Sequence, residues 1–171
     1  VQFKIKYLGQ LKYCLGLSVV HIQDGIILHQ AGYIKKLLTK FGMNEVSKFQ
    51  RTPMVVRSLN PESDVFGPRR DSEEVLPPEY PYREAIGGLM YLTNCSRPDI
   101  AFATNLLARF CQEPTKRHWS GIKHLLRYLA GTIMYGLFYR RGDHGGVLNT
   151  DDVIGYADAG YLSDPHRARS Q

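Results

Sequence analysis

An α+β fold is predicted: a β-hairpin and a helix first, a helical unit in the middle, and terminal strands of an incomplete further domain. Three observations predict it. β-Branched and aromatic residues flank an Asp24-Gly25 turn near the start, apolar residues recur at helical spacing through 82–94, 96–110 and 115–132, and period-2 alternation returns after Tyr135. The 171 residues, 43% of them hydrophobic, suffice to bury a core. These signals divide the chain into 1–46, a connector over 47–81, a helical unit over 82–133 and a last unit over 134–171.

In the first unit, strand-forming residues from Tyr13 to Ile22 and from Ile26 to Leu28 surround Asp24-Gly25, a dipeptide that tolerates the positive φ of a tight hairpin turn. Gly16 falls inside the first strand and is read as a bulge or a close approach of another backbone. A helix follows over Ala31–Met43, with Tyr33, Ile34, Leu37, Leu38 and Phe41 on one stripe and Lys35, Lys36 and Lys40 off it. Gly42 is placed to end it.

From Ser47 to Pro81 the periodicity dissolves into "NPESD", "GPRRDSEE" and "LPPEYP", the composition of a surface connector without a core of its own. Charge follows the same division. Residues 1–57 carry net +7, 58–84 net −4, 85–146 net +5 and 147–171 net −2, within a total of +6. Two basic blocks flank an acidic connector, a distribution that fits a polyanionic partner as well as it fits ordinary solubility charge.

In the helical unit, Ile86, Leu89, Met90 and Thr93 share one side of the first helix, and Gly87-Gly88 within it points to a close helix contact. Ser96 and Asp99 are spaced as a capping box for the second helix, with Pro98 in its first turn. In the third, Thr115 is placed to cap and Gly131 to end. Trp119, Ile122, Leu125, Leu126 and Leu129 form an apolar arc opposite Lys116, Arg117, Lys123, His124 and Arg127. That basic arc is either a solvated face or a surface that follows a nucleic-acid backbone.

The chain closes with "YGLFYRR", the turn "GDHGG" and a second strand "VIGYADAGYL", in which Ile154, Tyr156 and Asp158 share a face. A carboxylate aimed with apolar residues needs a cation or a donor to meet it.

Several classes are excluded or disfavoured by composition. No apolar run approaches the about 18 residues that cross a bilayer, and "VQFKIK" lacks a signal-peptide pattern, so no membrane partner is expected. The absence of an initiator Met reads as a cut from something longer. Cys14, Cys95 and Cys111 have no CxxC spacing and the six histidines form no HExxH pair, which fits a reducing intracellular setting, cytoplasmic or nuclear with an organelle left open, and no structural zinc.

The stretches "LGQLKYCLGLSVV", "GIILHQAGYIKKLLTKFGM", "TPM", "YREAIGGLMYLTNCSRPDIAFATNLLARF", "PTKRHWSGIKHLLRYLAGT", "GLFYRR" and "GYADAGYLSDPHRARSQ", in this order, resemble the Pol polyprotein of copia-type long-terminal-repeat retrotransposons. The resemblance covers nearly the whole chain. It implies a region running from just after the reverse transcriptase active site, through the thumb and connection, into the first strand of ribonuclease H. It implies that Leu15, Gly16 and Leu17 form a primer-grip-like element and that Lys116, Lys123 and Arg127 contact a template–primer backbone. It also implies that Asp158 is the first ribonuclease H acid and a magnesium ligand.

Polymerase chemistry of this kind needs carboxylates that hold two magnesium ions, and so does ribonuclease H chemistry. The sequence contains no Tyr-x-Asp-Asp. Asp151-Asp152 lies in a polar turn without the preceding tyrosine, and Asp164 lies in the basic turn "SDPHRARS". One carboxylate does not hold Mg²⁺ against its waters. Many relatives have Asp and Trp soon after the first acid, where this chain has Gly160 and Tyr161. The expectation is therefore a piece of a reverse transcriptase/ribonuclease H polyprotein that is inactive alone, with Mg²⁺ a cofactor of the parent enzyme only and nucleic acid as partner. Two alternatives stand beside it: a stand-alone binding module using the basic helix together with the Lys35, Lys36 and Lys40 face, and a decayed remnant without function.

Overall fold

The computed structural model describes residues 4, 6–45, 47–56, 64 and 66–141. Four strands, β1 (Tyr13–Cys14), β2 (Leu17–Ile22), β3 (Gly25–His29) and β4 (Gly136–Arg140), form one antiparallel sheet in the order β1-β2-β3-β4. Between β3 and β4 the chain builds α1 (Ala31–Lys40), α2 (Tyr82–Cys95), a short 3₁₀ turn (Pro98–Ile100) leading into α3 (Ala101–Ala108), and α4 (Lys116–Gly131).

The stretch expected as one strand from Tyr13 to Ile22 is two strands. Cys14 pairs with Leu17, so Leu15 and Gly16 are the two-residue loop of a hairpin, with φ of 49° and 85°. Positive φ at both loop residues is what a right-twisted hairpin requires, and Gly16 supplies it without strain. It is a turn residue, not a bulge. The next turn also shifts by one residue: Ile22 pairs with Gly25, which leaves Gln23 and Asp24 as the loop. Gly25 is held free of a side chain by close approach, since a Cβ there would lie 2.1 Å from the Tyr139 carbonyl oxygen of β4.

By its place after Tyr135, β4 is expected to open the last unit. It pairs with β3 over five residues, from Gly25↔Arg140 to His29↔Gly136, and so completes the N-terminal sheet. Alternation marks a strand but carries nothing about which edge it joins.

α1 matches its sequence pattern. Ile34, Leu37 and Leu38 are buried, and Gly42 at φ 65° ends the helix while the Met43 N–H donates back to the Leu38 carbonyl at 2.8 Å. In α2 the buried stripe is Tyr82, Ala85, Ile86, Leu89 and Leu92, whereas Met90 is exposed and Thr93 half-buried. Of the two glycines, Gly88 makes the expected close contact: a Cβ there would meet Leu37 Cδ1 at 2.6 Å. Gly87 faces open space.

The expected Ser96–Asp99 capping box does not form. Ser96 Oγ donates instead to Gln30 Oε1 at 2.7 Å, and Asp99 is taken by Arg97 and Tyr128. Thr115 does start α4, where its backbone N–H is accepted by His118 Nδ1 at 3.0 Å.

One hydrophobic core joins all four helices, with Ile34, Leu89, Ile100, Ile122, Leu125 and Leu129 fully enclosed. The connector contributes to it. Phe66 and Leu76 are buried among the helices, Phe66 lies over Gly121, and the Leu76 N–H bonds to the Pro114 carbonyl at 2.7 Å. The connector is thus anchored to the core at these two side chains, with Phe66 filling the space left by Gly121 on α4.

Candidate nucleic-acid interface

The β1–β2 turn rests on α2. Tyr91 Oη donates to the Leu15 carbonyl at 3.5 Å, and the Tyr91 ring is itself braced edge-on by Tyr33, 4.9 Å between centroids. A Cβ at Gly16 would come within 2.5 Å of Tyr91 Oη. Leu15 combines two unfavourable states: a non-glycine φ of 49° and a side chain 89% exposed. A branched apolar residue in the left-handed region is strained by roughly 1–2 kcal/mol, and here no burial offsets it. Leu17, half-buried, starts the strand that follows.

On α4, Lys116, Lys123 and Arg127 lie at i, i+7 and i+11, so they run along one face over about 16 Å. Lys116 is exposed; Lys123 and Arg127 are half-buried. The other two members of the basic arc are occupied by the connector. Arg117 grips Glu73 and also donates to the carbonyls of Asp64 and Pro68, each at 3.0 Å, and His124 Nε2 bonds the Thr52 carbonyl at 3.0 Å. The Glu73 carboxyl, hydrogen-bonded by Arg117, is held down at about 2. The sequence-predicted site residues therefore fall into two groups on different elements, the turn against α2 and the stripe on α4.

The same connector anchors His118, which is fully buried on the core side of α4. Its Nδ1 accepts from the Thr115 N–H, so Nε2 carries the proton and donates to the Gly67 carbonyl at 3.0 Å. Burial pushes its pKa below the usual histidine value. Phe110 stacks on the ring at 4.2 Å.

A further polar network is not visible in the sequence. Arg97, 1% exposed, makes a two-point bond to Asp99 at 2.9 and 2.8 Å and donates to the Thr132 carbonyl and hydroxyl at 2.9 and 2.8 Å. Tyr128 Oη donates to Asp99 Oδ2 at 2.8 Å, and the guanidinium lies 5.5 Å from the Tyr128 ring centre and 5.6 Å from that of Tyr135. Burial raises the Asp99 carboxyl, but the Arg97 and Tyr128 hydrogen bonds outweigh it and leave it below its ordinary value. This network clamps the α2–α3 junction to the end of α4.

Asp158, the candidate catalytic acid and magnesium ligand, lies outside the described residues, as do Asp151, Asp152 and Asp164. Among the described residues no group of three or more His, Cys, Asp and Glu side chains is placed to hold a metal, and no helix is long and apolar enough to cross a membrane. A cavity of about 500 Å³, lined by Pro77, Pro81, Tyr80, Arg83 and Cys111, is remote in type from this chemistry. Burial pushes the Cys111 thiol up, which disfavours the nucleophilic thiolate.

The chain is 33% identical over 163 residues to a retrovirus-related Pol polyprotein from transposon RE2 of Arabidopsis thaliana, covering 95% of this chain and 10% of that polyprotein. It is 33% identical over 171 residues to the retrovirus-related Pol polyprotein from transposon TNT 1-94 of Nicotiana tabacum, covering 98% and 12%. It is also 32% identical over 143 residues to an uncharacterized mitochondrial protein of Arabidopsis thaliana, covering 81% and 53%. The chain thus spans about a tenth of the length of the Pol polyproteins it matches. No family model and no solved structure matches it.

Proposed function

The chain belongs to the retrovirus-related Pol polyproteins of copia-type transposons, and from that premise we propose that it is the part of the reverse transcriptase that follows the polymerase active site and leads into ribonuclease H. It holds template–primer and performs no chemistry alone. Leu15 carries this reading. A leucine kept at positive φ and 89% exposed is unfavourable for folding on both grounds, which is expected of a side chain retained for contact with a bound partner. The turn that presents it is propped by Tyr91, which Tyr33 braces in turn.

Lys116, Lys123 and Arg127 supply phosphate contacts, which position a nucleic acid without reading its sequence. Polymerase and ribonuclease H activity, with their magnesium ions, reside in the longer polyprotein. Asp158 is the ribonuclease H acid that this stretch contributes.

The test is binding of a labelled RNA–DNA template–primer by the 171-residue chain and by Leu15→Asn. Asn suits the left-handed turn, so the fold is expected to gain up to about 1 kcal/mol while affinity falls several-fold. Unchanged affinity rejects the role of Leu15, and magnesium-dependent primer extension by the purified chain rejects the assignment of chemistry elsewhere.

A further inference from the structure

Among the described residues three arginines are not fully exposed: Arg97 is buried, and Arg117 and Arg127 are half-buried. Arg97 is met by Asp99 and Arg117 by Glu73, each through two hydrogen bonds. Arg127 has no such partner. No described carboxylate pairs with it, and no described acceptor takes a hydrogen bond from it.

The other two show how this chain pairs an arginine when the partner is internal, and a cation without an internal counter-charge is left to meet an external one. Arg127 instead lines a cavity of about 350 Å³ beside the end of α1, together with Lys48, Ser47 and Gln50. Glu45 is the single acid on its wall, and it makes no ion pair with either cation among the described residues. Two cations, one hydroxyl and one amide, with the one carboxylate, line a space ample for a tetrahedral oxyanion.

We propose that this cavity is a phosphate seat, with the Arg127 fork as the two-point donor and Lys48 as the second charge. The seat deepens the proposed function, on which it rests only for the source of the phosphate. Arg127 ends the stripe that starts at Lys116, so one backbone phosphate fixed there sets the register of the strand along α4.

The experiment is titration of the 171-residue chain with inorganic phosphate followed by ³¹P NMR, alongside salt-dependent binding of an RNA–DNA duplex. The proteins are wild type, Arg127→Lys, Lys48→Ala and Lys116→Ala, with thermal unfolding confirming that each is folded. Arg127→Lys keeps the charge but loses the fork, so phosphate binding is expected to fall about tenfold, with a smaller loss for Lys48→Ala.

A parallel loss of duplex affinity identifies a backbone phosphate as the occupant. Loss of inorganic phosphate alone identifies a free phosphate, and the seat stands. Absence of phosphate binding by wild type, or wild-type binding by both Arg127→Lys and Lys48→Ala, overturns the seat. The nucleic-acid reading is decided separately, by whether Lys116→Ala lowers the salt slope of duplex binding by about 1.

Discussion

Glu73 meets the Arg117 guanidinium edge to edge, with Oε1 2.8 Å from Nε and Oε2 2.8 Å from an Nη, and this pair fastens the acidic connector to the basic start of α4. Both side chains are largely withdrawn from water, 14% exposed for Arg117 and 21% for Glu73. Glu73→Gln removes the charge while the Arg117 bonds to Asp64 and Pro68 remain. The expected loss is about 1–3 kcal/mol by urea unfolding, above the typical value for an exposed pair.

The same pair gives an acid signature. Glu73 is held at about 2 against an ordinary 4.5, so its stabilisation is complete above pH 4.5 and drains away as pH falls toward 2. His118 acts earlier in the same direction. Its pKa is lowered by burial, so the unfolded chain takes up the proton first and stability declines once pH drops below 6.5. A Tm series from pH 8 to 3 should fall in two stages. Glu73→Gln should flatten the lower one by about 1–2 kcal/mol, discounted for partial exposure.

Arg97→Met strands Asp99 and the Thr132 carbonyl and is expected to destabilise by about 3–5 kcal/mol in urea unfolding. Arg97→Lys retains charge but not the planar fork, and should recover less than half of that loss.

Gly16→Ala separates backbone strain from contact. The φ of 85° disfavours any side chain by roughly 1–2 kcal/mol, while the clashing Tyr91 Oη is the end of a side chain that can swing away. Strain should therefore dominate, and repeating Gly16→Ala in a Tyr91→Phe background should recover less than about 0.5 kcal/mol of its effect.

Gly121→Ala tests the docking of the connector. The new Cβ would lie 2.5 Å from Phe66 Cε1 and 3.0 Å from Leu107 Cδ2, an overpacking expected to destabilise by about 1–3 kcal/mol in thermal unfolding. Shortening Phe66 to Leu in the same chain should return part of it.

The elements legible in the sequence are those whose apolar period is matched by their neighbours. In α4, Ile122, Leu125, Leu126 and Leu129 are all fully buried, and Gly42 ends α1 as its spacing predicts. Local pattern misleads where tertiary contacts override local preference. Leucine disfavours the left-handed region, so Leu15-Gly16 looks like strand until α2 brings Tyr91 beneath it. Ser96 and Asp99 have capping-box spacing, but Gln30, Arg97 and Tyr128 compete for them from distant parts of the chain. Of the basic arc, charge alone could not separate Arg117, which a connector glutamate claims, from Arg127, which has no described partner. Asp158 is known from its motif only.

The pairing of β3 with β4 has a kinetic meaning. The two strands are neighbours in the sheet but are separated in the chain by every helix of the core. During synthesis the Gly25–His29 edge emerges ahead of these helices and stays without this partner until Gly136–Arg140 arrives. Closure across so long an intervening segment is slow. An open strand edge on a nascent chain is an invitation to pair with a neighbour, so the ribosome's pace and the prompt collapse of the helices decide how long that hazard lasts.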